Sequence, residues 1–134
     1  MNNELKTIAR TYAIRIWDDK DLTAVDDFFS SAGVVHSPLG GFCGPDDLKK
    51  VLSTWFTAFP DLNVTNIAEI CEHDLVALQW VAEGTHLGEF QSLKPSGKVI
   101  RYTGVSMYRV NDSKIIEYWG YLDINHILTQ ISDN

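Results

Sequence analysis

Cysteine, basic residues and long hydrophobic runs are all scarce in this sequence. The two cysteines, Cys43 and Cys71, form neither a CxxC pair nor a metal-knuckle spacing, so a reduced, intracellular protein is the simplest expectation. No 18 consecutive apolar residues occur, and residues 1–6 lack the basic-then-apolar pattern of a signal peptide. We therefore expect a cytoplasmic protein with no secretory or membrane-spanning segment.

Positive charge is also in deficit. Eleven Lys and Arg stand against eighteen Asp and Glu, which gives a net charge of −7. A protein with this negative net charge repels phosphate backbones and anionic lipids, so neither nucleic acid nor a membrane surface is an expected partner. What is present is an ordinary globular composition, 45% hydrophobic and 22% charged, and 134 residues suit a single domain over 1–134.

Helical patterns dominate the first sixty residues. Apolar residues at helical spacing predict a helix over about 4–18, and a short second helix follows with Asp21 as its candidate N-cap. A brief extended piece over 33–38 separates it from a third helix. That helix begins with Pro45 at its first position and ends before Pro60.

After Pro60 the apolar period changes from helical to two residues. Extended segments are predicted over 61–70, from 76 onward, over 99–110 and over 114–122, and we expect Gly84 to introduce a bulge or bend. A final helix follows Asp123. This order predicts an α+β domain with the helices on one face of a curved, mostly antiparallel sheet.

A curved sheet closed by helices leaves a cone with an apolar interior, which is a common site for a small hydrophobic ligand. Four Trp, six Phe and five Tyr supply the rings to line it, although any one ring can equally fill the core.

The last predicted strand carries the most specific local pattern. Glu117, Trp119, Tyr121 and Asp123 share parity, so one strand face places carboxylates beside two large rings. A carboxyl group packed against rings loses solvation and its pKa rises, which suits acid/base chemistry near neutral pH. The alternative is that Asp123 only caps the following helix; the two roles are compatible.

Several blocks of the sequence resemble the SnoaL-like polyketide cyclase family. They are WFTAFPDL at 55–62, GTHLGEF at 84–90, PSGK at 95–98 and KIIEYW at 114–119, with Asp123 four residues further on. The resemblance runs from about residue 5 to 131. It implies the NTF2-like fold, a cone-shaped α+β barrel shared with ketosteroid isomerase and scytalone dehydratase.

The resemblance also implies a chemistry and a site. In the characterised cyclases an aspartate after the Trp of the last strand is the acid/base of a cofactor-free intramolecular aldol closure, and Asp123 matches it. The family's pocket histidines match His36 and His86. No metal and no organic cofactor are implied. The rings expected to contact a small hydrophobic or aromatic substrate are Tyr12, Trp17, Trp55, Trp80, Phe90, Trp119 and Tyr121.

Other functions stay open at this stage. The chain could be a related isomerase or hydrolase, including one that sets Arg101 or Arg109 beside Asp123. It could also be a non-catalytic ligand-binding or dimeric interaction module of the same fold. His73 lies in an expected exposed turn and its spacing matches no standard metal site. Because exposed apolar residues on a sheet face need cover, we expect a homodimer.

Overall fold

The computed structural model describes residues 2–132, in which helices precede and follow a long run of strands. In chain order the elements are α1 (Asn2–Trp17), α2 (Thr23–Phe28), β1 (Phe29–Ser37), β2 (Gly40–Cys43), α3 (Pro45–Ala58), β3 (Asn63–Glu72), β4 (Leu75–Thr85), β5 (Val99–Asn111), β6 (Lys114–Leu122) and α4 (Ile124–Ser132).

All the strands of the described chain join one sheet, in the order β2-β1-β6-β5-β4-β3. Every neighbouring pair is antiparallel except β1 and β6, which run parallel. The α+β class and the mostly antiparallel sheet are therefore confirmed. The sheet is not closed into a barrel, however, because β2 and β3 form its two edges.

The elements begin close to where the sequence indicates. Pro45 is the first residue of α3, and the preceding Gly44 has φ of 95°, a backbone conformation that glycine adopts without strain. The N-cap position of α2 is Leu22 rather than Asp21, but the Asp21 carboxylate still accepts the Thr23 backbone N–H at 3.0 Å. Its hydrogen bond therefore satisfies a donor of the first helical turn.

The structure lengthens one predicted strand and places no bulge at Gly84. The extended piece expected over 33–38 is the second half of a nine-residue strand that begins at Phe29, directly after α2. No bulge lies at Gly84, because β4 and β5 pair without interruption from Leu75 to Thr85. The pairing register shifts elsewhere, between Phe29 and Val34, Asn66 and Ala68, and Arg109 and Val110.

The buried apolar residues form two clusters beneath the helices. The first packs α1 and α2 against the sheet around Tyr12, Ile16 and Tyr108. The second packs the end of α3 and the helix α4 around Trp55 and Phe59. A small cavity lies where the two clusters meet.

Candidate functional site

The cavity lies between α1, α3 and the inner face of the sheet. Its volume is about 50 Å³, and its lining is mostly apolar. Helical residues, including Trp17, Val51 and Trp55, form one side of it, and sheet residues, including Val35 and Trp80, form the other. Within the described chain its lining contains no carboxylate, imidazole or amine.

Three hydrogen-bonded polar side chains, each from a different strand, are part of the lining of this cavity. The Trp80 indole Nε1–H donates to the Ser106 Oγ at 3.0 Å, and that oxygen lies 3.3 Å from the Tyr118 Oη. Ser106 is buried, and all three side chains line the cavity. We call this set the Ser106 cluster.

Burial keeps the tyrosines of the cavity neutral. Desolvation raises the pKa of Tyr118 above its ordinary value, and the hydrogen bond to Ser106 opposes part of that rise. Desolvation also raises the pKa of Tyr102, the other tyrosine of the lining. Both hydroxyls therefore keep their protons at neutral pH and are able to donate hydrogen bonds.

Of the seven rings expected to contact substrate, Trp17, Trp55 and Trp80 line this cavity. Phe90 is buried in the second cluster, with its ring centre 5.1 Å from that of Trp55. Tyr12 is buried in the first cluster. Both fill the core, which is the alternative that ring counts alone leave open.

The other two rings, Trp119 and Tyr121, lie on the outer face of the sheet. Strand β6 directs Tyr118, Gly120 and Leu122 to the cavity, so the residues of the other parity point away from it. Tyr121 is 56% exposed. The carboxylate-and-ring face predicted from parity therefore exists, but it is the outer face.

His36 belongs to that outer face as well. Its imidazole stacks on Trp119 at 5.4 Å between ring centres, and its Nε2 lies 2.8 Å from the Glu117 carboxylate. The Arg109 guanidinium also lies over the Trp119 ring, 5.7 Å from its centroid. It pairs with the Asp74 carboxylate at 2.9 Å. The pairing of Arg109 with Asp74 and Glu117 gives it partners other than Asp123.

Asp123 lies at the rim of the cavity rather than inside it. Its side chain is exposed, and its Oδ1 accepts the His126 backbone N–H at 3.3 Å, as a helix cap does. With His36 and Tyr121 it lines an open groove of about 690 Å³. Four residues line both spaces, namely Ser37, Pro38, Gly120 and Leu122.

His86 is fully buried, but it is not among the residues that line the cavity. Its Nδ1 accepts the Ser96 backbone N–H at 3.1 Å, and backbone hydrogen bonds join His86 to Gly97 and Lys98. Its ring packs against Phe59, and its Nε2 has no hydrogen-bond partner within the described chain. The contacts of His86 thus hold residues 96–98 in place.

The remaining candidates do not assemble into a site. His73 is exposed, with φ of 57° in the turn between β3 and β4. Over residues 2–132, no group of three or more His, Cys, Asp or Glu side chains is arranged to hold a metal ion. In the same part of the chain, no helix has the length and apolarity needed to cross a bilayer.

Sequence reasoning missed the Ser106 cluster. Its three members come from three strands, so no local spacing links them. The signal that was available is the even parity of Tyr118, Gly120 and Leu122, which alternates with the more conspicuous Trp119 and Tyr121.

Comparison with solved structures gives a consistent picture of the fold. AclR, a candidate hydroxylase from Streptomyces galilaeus, is 25% identical with a TM-score of 0.88, and the match covers 100% of this chain and 84% of that one. IdmH, a candidate polyketide cyclase from Streptomyces antibioticus, is 26% identical with a TM-score of 0.79, covering 91% and 94%.

A third structure, a candidate SnoaL-like polyketide cyclase from Jannaschia sp. CCS1, is 20% identical with a TM-score of 0.87, covering 97% and 95%, and shows the shared fold. No curated protein matches this chain significantly in sequence. The family model described as SnoaL-like polyketide cyclase matches residues 7–131. The fold is thus the NTF2-like one expected from the resemblance, and this chain belongs to the SnoaL-like polyketide cyclase family.

Proposed function

We propose that this protein binds a small hydrophobic or aromatic carbonyl compound in the interior cavity and catalyses a cofactor-free proton transfer on it. The observation that carries the proposal is a mostly apolar cavity whose lining includes the hydrogen-bonded polar groups of the Ser106 cluster. Apolar walls with a few convergent polar groups are the usual form of a small-molecule site. Membership of a family that includes polyketide cyclases supports the same reading.

The size of the cavity limits how the ligand enters. Its volume of about 50 Å³ is well below the roughly 300 Å³ at the lower end of small-molecule sites. A larger ligand therefore has to part the walls that the cavity shares with the outer groove. Ser37 and Pro38 form one of these walls, and Gly120 and Leu122 form the other.

We assign the acid/base role to Asp123, at the rim. The Asp123 carboxylate would remove a proton alpha to the carbonyl, and the enolate oxygen would accept a hydrogen bond inside the cavity. The enolate carbon would then attack a second carbonyl of the same molecule, and the protonated Asp123 would return its proton to the new alkoxide. Every proton is thus returned, and the reaction needs no redox partner.

A second candidate is a ligand-binding module without chemistry. The exposure of Asp123 and its hydrogen bond to the His126 N–H favour it, because a helix cap accounts for this aspartate without catalysis. The cavity would then hold its ligand without converting it.

Deuterium exchange at the alpha carbon of simple enolisable ketones, followed by NMR, distinguishes the two candidates. If Asp123 is the base, Asp123→Asn should slow the exchange at least about 100-fold and leave ligand affinity unchanged. Screening aromatic polyketide methyl esters with the same pair of proteins extends the test to ring closure. Equal rates for wild type and Asp123→Asn would remove Asp123 from the mechanism.

The capping role of Asp123 provides the matched control. Asparagine caps a helix about as well as aspartate does, so Asp123→Asn should unfold at the wild-type urea concentration. Asp123→Ala should lose about 1 kcal/mol. A rate loss in the asparagine variant at unchanged stability is then a chemical effect and not a consequence of fraying at α4.

A further inference from the structure

The cavity and the outer groove meet where two strands of the sheet stop pairing. Strands β1 and β6 run parallel, and their pairing ends at His36 and Trp119. Past this pair, within residues 2–132, β6 pairs with β5 alone. The four residues that line both spaces all follow this pair: Ser37 and Pro38 on the side of β1, and Gly120 and Leu122 on the side of β6. The wall between cavity and groove is therefore a gap in the backbone pairing of the sheet.

One side of this gap is the turn between β1 and β2, residues 37–40, which we call the hairpin tip. Pro38 has no N–H, so it cannot extend the pairing of β1 with β6 as a donor. The Ser37 hydroxyl closes the turn, since its Oγ accepts the Leu39 N–H at 3.1 Å and donates to the Gly40 carbonyl oxygen at 2.9 Å. Strand β2 pairs with β1 alone and forms a sheet edge. The hairpin tip is thus attached to the sheet from one side, through β1.

The other side of the gap is β6, where Gly120 leaves space. Gly120 has the parity of Tyr118, so a side chain at this position would point to the inner face of the sheet. A Cβ there would lie 3.0 Å from the Tyr118 Oη, and its three nearest atoms would all belong to Tyr118. Tyr118 lines the cavity but not the groove. A methyl group at 120 would therefore narrow the way from the gap to the cavity.

We propose that small carbonyl ligands enter the cavity through this gap, that the hairpin tip is its movable side, and that Gly120 is a specificity-determining residue that sets its width. This inference rests on the proposed role of the cavity as the ligand site. It also places the entrance beside Asp123, which lines the groove but not the cavity. The ligand then passes the proposed base on its way in.

A gate of this kind has a kinetic signature. Ligand enters and leaves through the same gap, so a change in the gate alters the association and dissociation rates by the same factor and leaves the dissociation constant unchanged. A residue that only contacts the bound ligand changes mainly the dissociation rate. The two rates, measured separately, therefore distinguish a gate from a contact.

Acetophenone and 2-acetylnaphthalene, aromatic ketones with one ring and with two fused rings, serve as probes. Stopped-flow quenching of the cavity tryptophans would give both rates for wild type, Ser37→Ala, Gly120→Ala and Ser30→Ala. Ser30→Ala is the matched control for Ser37→Ala. The Ser30 hydroxyl also lies on β1 and also accepts an N–H two residues on, that of Ala32 at 3.3 Å, but it does not line the cavity.

Ser37→Ala removes the hydroxyl that closes the hairpin tip, so both rates should rise about fivefold. Gly120→Ala should lower both rates at least about fivefold for 2-acetylnaphthalene, and less for the smaller acetophenone. In both variants the dissociation constants should stay within about twofold of the wild-type values. Ser30→Ala should bind and release both ketones as wild type does.

Failure of the inference and failure of the proposed function have different signatures. If the ketones bind, but Ser37→Ala changes the rates no more than Ser30→Ala does, the hairpin tip is not the gate and the cavity remains a ligand site. If Gly120→Ala changes only the dissociation rate, Gly120 does not set the width. Urea midpoints check folding, and Ser37→Ala decides by itself should Gly120→Ala not fold. If neither ketone binds wild type up to its solubility limit, the ligand site itself is wrong, and the entrance with it.

Discussion

Gly104 gives Trp80 the space to reach Ser106. A Cβ at Gly104 would lie 2.5 Å from an indole carbon of Trp80 and 2.6 Å from the Tyr121 carbonyl oxygen. The indole can be displaced, but the backbone carbonyl of β6 is held by its pairing with β5. The missing side chain on β5 thus leaves the space in which the Trp80 indole lies.

We expect Gly104→Ala to destabilise the fold by about 1–3 kcal/mol, the usual cost of overpacking a core. Urea unfolding would measure it. The matched control is Gly41→Ala, where the new Cβ would meet only the Val35 carbonyl oxygen at 3.6 Å and φ is not positive. Equal midpoints for the two variants would contradict the close packing at Gly104.

Asp21 predicts a pH dependence of stability. Hydrogen bonds from Thr23, followed by those from Arg15, lower the pKa of its carboxyl group from 3.8 to about 2. A carboxyl whose pKa is lower in the folded state adds stability that is fully present above pH 3.8 and is lost as the pH falls toward 2.

Urea midpoints measured from pH 5 to pH 2 should therefore fall, and the fall should be shallower in Asp21→Asn. The carboxyl groups of Asp61 and Glu69 also have lowered pKa values, because Thr85 and Arg10 respectively donate hydrogen bonds to them. Part of the acid dependence should thus persist in the variant. If the urea midpoint falls with pH as steeply in Asp21→Asn as in wild type, the Asp21 carboxylate does not keep these hydrogen bonds in solution.

At the scale of elements, α4 completes the sheet where β6 stops. Strand β6 pairs with β5 only as far as Leu122, opposite Gly104, so the first residues of β5 lack a neighbour on that side. The Gln130 side chain of α4 takes that place. Its amide accepts the Arg101 N–H at 3.0 Å and donates to the Arg101 carbonyl oxygen at 2.9 Å.

Gln130→Ala should therefore speed hydrogen exchange at the Arg101 amide about fivefold, in line with the loss of a hydrogen bond of roughly 1 kcal/mol. Exchange mass spectrometry or NMR would report it. Ser132→Ala serves as the control on the same helix, because its hydroxyl donates to the Leu128 carbonyl of α4 itself. If Arg101 exchanges equally fast in both variants, α4 does not protect β5.

The sequence predicts the elements better than their pairing. Helix starts at Pro45 and after Asp123 follow from local chemistry, and β6 begins and ends where alternation indicates. The parallel pairing of β1 with β6 joins residues about eighty positions apart, such as His36 and Trp119, and no local pattern encodes it. That pairing is what places His36 on the outer face.

At the scale of the whole molecule, only part of the candidate site could be predicted, because the choice of the inner sheet face also depends on contacts between residues far apart in sequence. Parity correctly grouped Trp119 and Tyr121 on one face, but both faces of β6 carry rings, so parity alone could not tell which face meets the helices. The helices settle that choice by packing over Tyr118 and Leu122. The hydrophobic pattern thus predicts which residues share a strand face. When both faces carry aromatic rings, it does not predict which face packs against the helices.

The outer face of the sheet remains the basis for the expected homodimer. Val34, Ile70 and Tyr121 on this face are 37%, 67% and 56% exposed, and Met107 lies near its centre, opposite Trp119. A second copy related by a two-fold axis would cover this face with the same residues. We therefore expect sedimentation velocity to give a dimer at micromolar concentration.

A charge at the centre of such an interface meets its own copy across the two-fold axis, so Met107→Glu should weaken the dimer at least about tenfold. Ile14→Glu is the matched control: Ile14 is 41% exposed but lies on α1, away from this face, and its variant should sediment as wild type does.

A wild-type monomer at high concentration would contradict the dimer. Dissociation by Ile14→Glu but not by Met107→Glu would instead place the interface on the helices. The cavity lies between these two surfaces, so ligand affinity measured for Met107→Glu also shows whether binding requires the dimer.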